Sequence, residues 1–236
     1  MAIAILLAAG TGNRFNDSVP KQLMELDGKT LIEHSLEVLY EHDLVDEIIL
    51  VVSKELSGRV REISQPYTKK VQQIIEGGNT RSESSFAGLK SIKSGDNPKV
   101  LIHDSARPFI SAEMISGCVE ALDAYEAVSV AVPSKETIFE IEESEVLRIP
   151  SRDSLMRAQT PQGFRLQRIV AGHKRLETDE SELIHIDEAI LDSKDIINDI
   201  ESSFPSNWTN ENNKLKEILE NLNKKKLAYN RSVDSA

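Results

Sequence analysis

Short runs of Ile, Val and Leu alternate with amphipathic stretches along the first part of the chain. The apolar runs predict strands over residues 2–8, 47–53, 71–75, 99–103 and 127–133, and the stretches between them predict helices over 30–42, 80–92 and 112–125. Strands that are apolar at almost every position are typical of a parallel sheet with helices on both faces. The pattern therefore predicts an α/β domain around a mostly parallel central sheet.

Two of the predicted helices begin with the same capping pattern. Thr30 precedes Glu33 by three residues, and Thr80 precedes Glu83 in the same way. A threonine at the N-cap accepts a hydrogen bond from the backbone three residues on, and the glutamate can return one. The two pairs therefore predict where these helices begin.

The pattern changes after residue 136. Two short strand-like pieces, 137–142 and 146–150, lead into a connection that prolines interrupt, up to residue 164. We expect an arm over about 136–163 that projects from the sheet, and helices near 167–177 and 211–226. Residues 1–226 then form one domain, and the polar residues 227–236 form a tail.

Composition narrows the class of partner. The 28 basic and 39 acidic side chains give a net charge of −11, which argues against a nucleic-acid-binding or membrane-binding surface. The apolar N-terminal run is too short to span a bilayer, and the single cysteine, Cys118, excludes an intramolecular disulfide. We therefore expect a cytoplasmic protein, in which any anionic ligand meets a local cluster of cations.

Four groups of residues with chemical potential follow predicted strands. The first contains Gly10, Gly12, Arg14 and Lys21. It is neither a Walker A loop nor a dinucleotide fingerprint, because no Gly-Lys-Ser/Thr closes it and Phe15 stands where the third glycine belongs. It is either a phosphate-binding or base-binding turn, or a tight turn with two solvated cations.

The second group is Gly77-Gly78 before a capped helix that carries Arg81 and Ser84. A pair of glycines before a helix is more often a simple turn than a ligand site. A helix N-terminus at the carboxyl end of a parallel strand is nevertheless where phosphates and nucleotides bind.

The third and fourth groups add an acidic residue and more arginines. His103, Asp104 and Arg107 follow one strand, and Arg152 and Arg157 flank the later connection. An aspartate in this place can hold Mg²⁺, although a His-Asp pair can equally be a hydrogen-bonded turn, and either late arginine alone can be a surface charge. Together the four groups indicate a phosphate-handling enzyme or a nucleotide-binding module without chemistry.

The order of these motifs resembles that of the cytidylyltransferases that act on 2-C-methyl-D-erythritol 4-phosphate, together with their relatives that act on ribitol 5-phosphate. The motifs that carry the resemblance are "LLAAGTGNR" with "PKQ", then "GGNTRSES", "IHDSARP" and "RDSLMRAQTPQGF". The resemblance covers about residues 2–190. It implies a Rossmann-like nucleotidyltransferase fold with a projecting β-arm, CTP and a polyol phosphate as substrates, Mg²⁺, and a homodimer formed through the arm.

The resemblance also implies roles for individual residues. The residues that would contact the nucleotide are Leu7, Ala8, Ala9, Gly10, Gly12, Gly78, Asn79 and Ser84. Arg14 and Lys21 would stabilise the charge that develops at the α-phosphate, and Asp104 would lie beside Mg²⁺. Arg107 would brace its loop.

Binding of the acceptor is assigned to later residues. Thr137 and Arg152 of the arm match positions that meet the acceptor phosphate from the neighbouring subunit, and Asp187 belongs to the same set. Two departures affect this set: Ile186 replaces a threonine before Asp187, and Thr209 stands where the family has a lysine. We expect nucleotide handling to be intact and acceptor handling to be altered.

Several functions remain open at this stage. The alanine before the arginine in "HDSARP" favours 2-C-methyl-D-erythritol 4-phosphate slightly over ribitol 5-phosphate as the acceptor. The alternatives are a ribitol-5-phosphate cytidylyltransferase, a pyrophosphorylase that uses another nucleotide, and a non-catalytic nucleotide-binding dimer module.

Overall fold

The computed structural model describes residues 1–10, 19–93 and 97–176, all within one compact unit. The strands are Ala2–Ala8 (β1), Glu25–Leu26 (β2), Lys29–Thr30 (β3), Glu47–Val52 (β4), Val71–Glu76 (β5), Lys99–Asp104 (β6), Ala127–Pro133 (β7), Glu140–Glu142 (β8), Glu145–Arg148 (β9) and Met156–Arg165 (β10). The α-helices are Leu31–Glu41 (α1), Ser57–Ile63 (α2), Arg81–Ser91 (α3), Ala112–Ala121 (α4) and Leu166–Leu176 (α5). Short 3₁₀ helices cover Lys21–Leu23, Lys54–Leu56, Gln65–Tyr67 and Arg152–Ser154.

Within the described residues, the central sheet has six strands in the order β5-β4-β1-β6-β10-β7. β1 pairs in parallel with β4 on one side and β6 on the other, and β4 pairs in parallel with β5. Only β10 among these strands runs the other way, antiparallel to both β6 and β7. The mostly parallel α/β fold is therefore confirmed, and the carboxyl ends of β1, β4, β5 and β6 share one edge.

Both faces of the sheet are buried, which explains the unbroken apolar runs. On β1, Ala4 and Leu6 face a core formed with α1, α2 and α4. Ile3 and Ile5 face a second core formed with α3 and α5. Burial on both faces removes the alternation of polar and apolar residues that a half-exposed strand would show.

Helix α1 begins at the predicted capping box. The Thr30 hydroxyl accepts from the Glu33 backbone N–H, and the Glu33 carboxylate accepts from the Thr30 backbone N–H at 2.8 Å. In α3 the Thr80 hydroxyl likewise accepts from the Glu83 backbone, but the Glu83 carboxylate accepts from the Asn79 N–H at 2.7 Å. Thr80 and Glu83 therefore cap the start of α3, and the Glu83 carboxylate also holds the backbone of Asn79, the residue before the cap.

Residues 156–165 form a strand that the sequence pattern did not predict. The arm expected over about 136–163, with a connection up to residue 164, is therefore wrong from Met156 onwards, because β10 lies in the sheet between β6 and β7. Its ladder with β7 shifts register between Ala158 and Gln162, and Pro161 falls within that irregularity. Proline lacks an N–H donor and is tolerated inside sheets at such points, so it hid a buried strand.

The arm is an exposed hairpin of β8 and β9. These two strands form their own two-stranded sheet. Glu143 and Ser144 have positive φ angles of 47° and 73°, the conformation that two-residue hairpin turns favour. Ile141 and Val146 face each other across the hairpin and are 65% and 55% exposed.

Some expectations fall on residues that the structure does not describe. They are Gly12, Arg14, Asp187, the C-terminal helix near 211–226, and the tail. Within the part of the chain that is described, no helix is long and apolar enough to cross a bilayer.

Candidate active site

A cavity of about 710 Å³ opens where the carboxyl ends of β1 and β6 meet the N-terminus of α3. Three segments line it: Leu7–Gly10 with Lys21 and Gln22, Gly78–Arg81 with Ser84, and Asp104–Arg107. Three of the four groups identified in the sequence therefore meet in one place. This is the edge of a parallel sheet at which ligands collect.

The end of β1 forms the first wall of the cavity. A Cβ added at Gly10 would meet no described atom within 4 Å. Gln22 is buried, and its side-chain N–H₂ donates to the carbonyls of Ala8 and Gly10 at 2.7 and 3.1 Å. The glutamine thus ties the residue after Lys21 to the end of the strand.

Two glycines allow the second wall to pack closely. A Cβ on Gly77 would lie 2.5 Å from the Ala9 Cβ and 2.7 Å from the Ser84 hydroxyl, and a Cβ on Gly78 would lie 2.3 Å from the Glu83 Cβ. The Ser84 hydroxyl accepts from the Gly78 N–H at 3.1 Å and donates to the Gly78 carbonyl at 3.2 Å. Both glycines are therefore required by close packing, of Gly77 against Ala9 and Ser84 and of Gly78 against Glu83.

Asp104 is held between two arginines. Arg81 Nε donates to one carboxylate oxygen at 3.0 Å, and Arg107 Nε donates to the other at 3.1 Å. Burial alone would raise the pKa of Asp104, but the two guanidinium groups outweigh it and hold the pKa below its ordinary value. Asp104 is therefore ionised at neutral pH.

Two glutamines of β10 accept hydrogen bonds from the same two arginines. Arg107 also donates to the Gln159 side chain at 2.5 Å, and Arg81 donates to the Gln162 side chain at 3.0 Å. The "QTPQ" segment is therefore the support of the "HDSAR" loop. As expected, Arg107 braces its loop.

His103 has a structural position beneath this loop. One ring nitrogen, Nε2, lies 3.0 Å from the Arg107 carbonyl and so carries the proton, while Nδ1 lies 2.9 Å from the Thr160 hydroxyl and accepts from it. The residue is fully buried, and burial lowers the pKa of His103 to about 4. The histidine is neutral at physiological pH and joins β6 to β10.

The described lining of the cavity is positively charged, although the chain as a whole is acidic. Among the described residues that line it, Lys21, Arg81 and Arg107 stand against the single carboxylate of Asp104. Such a concentration of positive charge attracts a polyanionic ligand, although the chain as a whole has a net charge of −11. The expected local cluster of cations is present.

The donor set at Asp104 fits a Mg²⁺ ion that shares a phosphate-bearing ligand. Mg²⁺ commonly takes one or two carboxylates and fills its other positions with phosphate oxygens and water. Each carboxylate oxygen of Asp104 has two lone pairs, so it can accept from an arginine and retain a site for a cation. No group of three or more His, Cys, Asp or Glu in the described ranges could hold a metal by itself.

Comparison with known sequences identifies the protein family. The sequence model of the 2-C-methyl-D-erythritol 4-phosphate cytidylyltransferase family matches residues 2–193. The chain belongs to the 2-C-methyl-D-erythritol 4-phosphate cytidylyltransferase family. Its members are nucleotidyltransferases, and the family assignment suggested by the four motifs is confirmed.

Individual relatives agree with this family. A 2-C-methyl-D-erythritol 4-phosphate cytidylyltransferase of Lachnospira eligens is 41% identical over 178 residues, which cover 75% of this chain and 78% of that protein. One of Thermobifida fusca is 39% identical over 170 residues, covering 69% of this chain and 68% of the relative. The crystal structure of 4-diphosphocytidyl-2C-methyl-D-erythritol synthase from Anaerococcus prevotii has a TM-score of 0.73 and 29% identity, and covers 83% of this chain and 84% of its own.

A further relative carries a different name. The bifunctional ribulose 5-phosphate reductase/CDP-ribitol pyrophosphorylase Bcs1 of Haemophilus influenzae is 39% identical over 168 residues. The match covers 70% of this chain and 35% of that protein, so this chain spans about a third of its length.

The structure brings together most of the residues that the family resemblance suggested. Those that line the cavity are Leu7, Ala8, Ala9, Gly10, Lys21, Gly78, Asn79, Ser84 and Asp104. Thr137 and Arg152 lie elsewhere, at the base of the arm, where Arg152 donates to the Thr137 hydroxyl at 2.8 Å. Gly12, Arg14 and Asp187 lie outside the described residues.

Sequence reasoning missed the polar residues that support the site. The sequence motifs contain these residues, which are Gln22, Gln159, Thr160 and Gln162, but indicate no role for them. Each acts through a hydrogen bond to a residue distant in the chain. Such pairings carry no local sequence signal.

Proposed function

We propose that this chain transfers CMP from CTP to a polyol phosphate, with 2-C-methyl-D-erythritol 4-phosphate as the favoured acceptor, and releases pyrophosphate. The single observation that carries the proposal is the convergence of Gly10, Lys21, Gly78 and Asp104 on one cationic cavity in a member of this family. A glycine at the end of a parallel strand, a helix N-terminus and local cations suit a nucleoside triphosphate.

The reaction needs charge neutralisation more than a base. The acceptor phosphate is already an anionic nucleophile, so its oxygen attacks the α-phosphorus in line as the bond to the β-phosphate breaks and pyrophosphate leaves. In our proposal Lys21 and Arg14 stabilise the charge that grows on the α-phosphate. The position of Lys21 in the cavity wall supports its part in this role.

The nucleotide base fits beside the second wall. We assign cytosine and ribose contacts to Gly78, Asn79 and Ser84, which line the cavity. The two hydrogen bonds between Ser84 and Gly78 support this assignment, because they hold the backbone of the turn in one geometry. A fixed backbone is what recognition of a base edge requires.

Asp104 is the residue we assign to Mg²⁺. When bound with the nucleotide, the cation would neutralise phosphate charge in the cavity. The carboxylate is ionised and keeps lone pairs for it, as its contacts with Arg81 and Arg107 indicate.

A second subunit would complete the acceptor site. The exposed hairpin carries apolar side chains at Ile141, Val146 and Leu147 that are 55–65% exposed, and such a patch favours burial against a partner. Thr137 and Arg152 at its base do not line the cavity of their own subunit. We propose a homodimer in which the arm carries these two residues to the partner's acceptor site, with Asp187 in the same set.

The relative that makes CDP-ribitol supports a second candidate. Bcs1 is named as a CDP-ribitol pyrophosphorylase, and its identity to this chain equals that of a methylerythritol-phosphate enzyme of Thermobifida fusca. Thr209 in place of the family lysine is a change in the expected acceptor segment. Ribitol 5-phosphate is therefore the alternative acceptor. A cytoplasmic location suits either one, and the buried, unpaired Cys118 supports it.

One assay separates these candidates. Pyrophosphate release is measured with CTP, UTP, GTP or ATP against 2-C-methyl-D-erythritol 4-phosphate, ribitol 5-phosphate and glycerol 3-phosphate. We expect release with CTP and 2-C-methyl-D-erythritol 4-phosphate. Release only with ribitol 5-phosphate would select the alternative, and CTP binding without turnover on any acceptor would select a non-catalytic module.

A further inference from the structure

Gln22 has an environment unlike that of an ordinary core residue. Its side chain is 4% exposed, and its carboxamide nitrogen donates to two backbone carbonyls, Ala8 at 2.7 Å and Gly10 at 3.1 Å. These partners lie 14 and 12 residues earlier in the chain. One N–H₂ group thus joins the last residue of β1 to the second residue after it.

The two carbonyls lie where the sheet stops providing donors. The ladder of β1 with β4 ends at the pair of Ala8 and Val52. The carbonyl of the preceding residue, Leu7, accepts from the Ser105 N–H at 2.9 Å, and Ser105 is the first residue after β6. Gln22 does for Ala8 and Gly10 what Ser105 does for Leu7, and so continues the ordered backbone into the cavity wall.

Lys21 is fixed by the same contacts. It directly precedes Gln22 in the 3₁₀ turn Lys21–Leu23, and the Leu23 N–H donates to the Pro20 carbonyl at 2.8 Å. Anchoring Gln22 to the end of β1 therefore sets the distance between the backbone of Lys21 and the backbone of Gly10. Both residues line the cavity.

We propose that Gln22 is a positioning residue for the nucleotide and for Lys21. This inference rests on the proposed function, since it assumes that the cavity takes CTP. Gln22 acts through the carbonyls of Ala8 and Gly10 and through the backbone of Lys21. A residue that only filled the core would affect stability and leave the kinetics of the folded enzyme unchanged.

The test compares two glutamines that each donate to a backbone carbonyl. Gln22→Met keeps the length of the side chain and removes the donors. Gln73→Met is the matched control, because Gln73 donates to the Ser91 carbonyl at 3.1 Å and lies outside the cavity wall. For each protein the melting temperature, the Kd of CTP by calorimetry, and kcat and the KM of both substrates are measured.

We expect Gln22→Met to lower kcat/KM for CTP by about ten- to a hundredfold, because small misplacement of a reacting group has effects of this size. The Kd of CTP should rise, and the KM of the acceptor should change by less than about twofold, since neither described hydrogen bond of Gln22 reaches the arm. Gln73→Met should lower the melting temperature alone.

Two results would overturn the inference. If Gln22→Met lowered the melting temperature but kept the Kd of CTP and kcat of the wild type, Gln22 would be a core residue only, and the proposed function would stand. If the wild type itself bound no CTP, the proposed function would fail first and the inference with it.

Discussion

The pH dependence of the free energy of unfolding gives a quantitative test of the buried His103, which joins β6 to β10 beneath the cavity. His103 titrates at its usual 6.5 in the unfolded chain, and burial lowers its pKa to about 4 in the folded protein. A group whose pKa is depressed by folding contributes stability above its unfolded pKa, and this stability is lost as the pH falls towards the folded pKa. The window of loss therefore runs from about pH 6.5 down to about pH 4.

The size of the effect follows from the two pKa values. At pH 5 the unfolded histidine is 1.5 pH units below its pKa of 6.5, and at about 1.4 kcal/mol per unit the folded state loses about 2 kcal/mol. The two neutral ring nitrogens are engaged by the Arg107 carbonyl and the Thr160 hydroxyl. Protonation would place a second N–H against the hydroxyl of Thr160, which now donates to that nitrogen.

The assay is urea unfolding of the wild type and of His103→Gln at pH 7.5 and pH 5.0. Glutamine keeps an amide donor for the Arg107 carbonyl but binds no proton in this range. We expect the wild type to lose about 2 kcal/mol more than the variant between the two pH values. Equal losses would refute the assignment of His103 as a buried neutral residue, and the comparison cancels the contribution of other acidic groups.

Three further predictions concern the site and the arm. Asp104→Asn should lower the melting temperature by only about 2–4 °C, because half-exposed ion pairs contribute about 1 kcal/mol. It should nevertheless reduce CTP-dependent pyrophosphate release at least about a hundredfold. A variant that loses activity only in proportion to its unfolded fraction would argue against a direct role of Asp104 in the reaction. Gly77→Ala should weaken CTP binding in calorimetry and destabilise by about 1–3 kcal/mol, since its Cβ would meet Ala9 at 2.5 Å; an unchanged Kd would contradict the close-packed wall. Ile141→Asp should yield monomers in sedimentation velocity, whereas the exposed-site control Glu120→Gln on α4 should not; a dimeric Ile141→Asp would remove the arm from the interface.

The sequence alone predicted the parts of the fold that depend on continuous burial. Residues 2–8 and 127–133 are apolar on both faces because the sheet is covered on both sides, and their limits match β1 and β7. Thr30 and Glu33 marked the start of α1 because capping is a local interaction. These signals need no knowledge of the rest of the molecule.

Features that depend on distant partners escaped the sequence. Strand order is one, since nothing local places β10 between β6 and β7. Pro161 argued against a buried strand, and only the bulge in the ladder explains its presence. Gln22 and Gln162 read as ordinary polar residues, because their partners lie 14 and 81 positions away.

We propose that nucleotidyl transfer takes place in the cavity at the end of β1, with Lys21 at the reacting phosphate. The most direct measurement is CTP-dependent pyrophosphate release by Lys21→Ala beside Lys29→Ala. Lys29 pairs with Glu37 at 2.6 Å and lies outside the cavity, so it controls for loss of a lysine. We expect Lys21→Ala to lose at least about a hundredfold in kcat while Lys29→Ala matches the wild type. Full release by Lys21→Ala would contradict it.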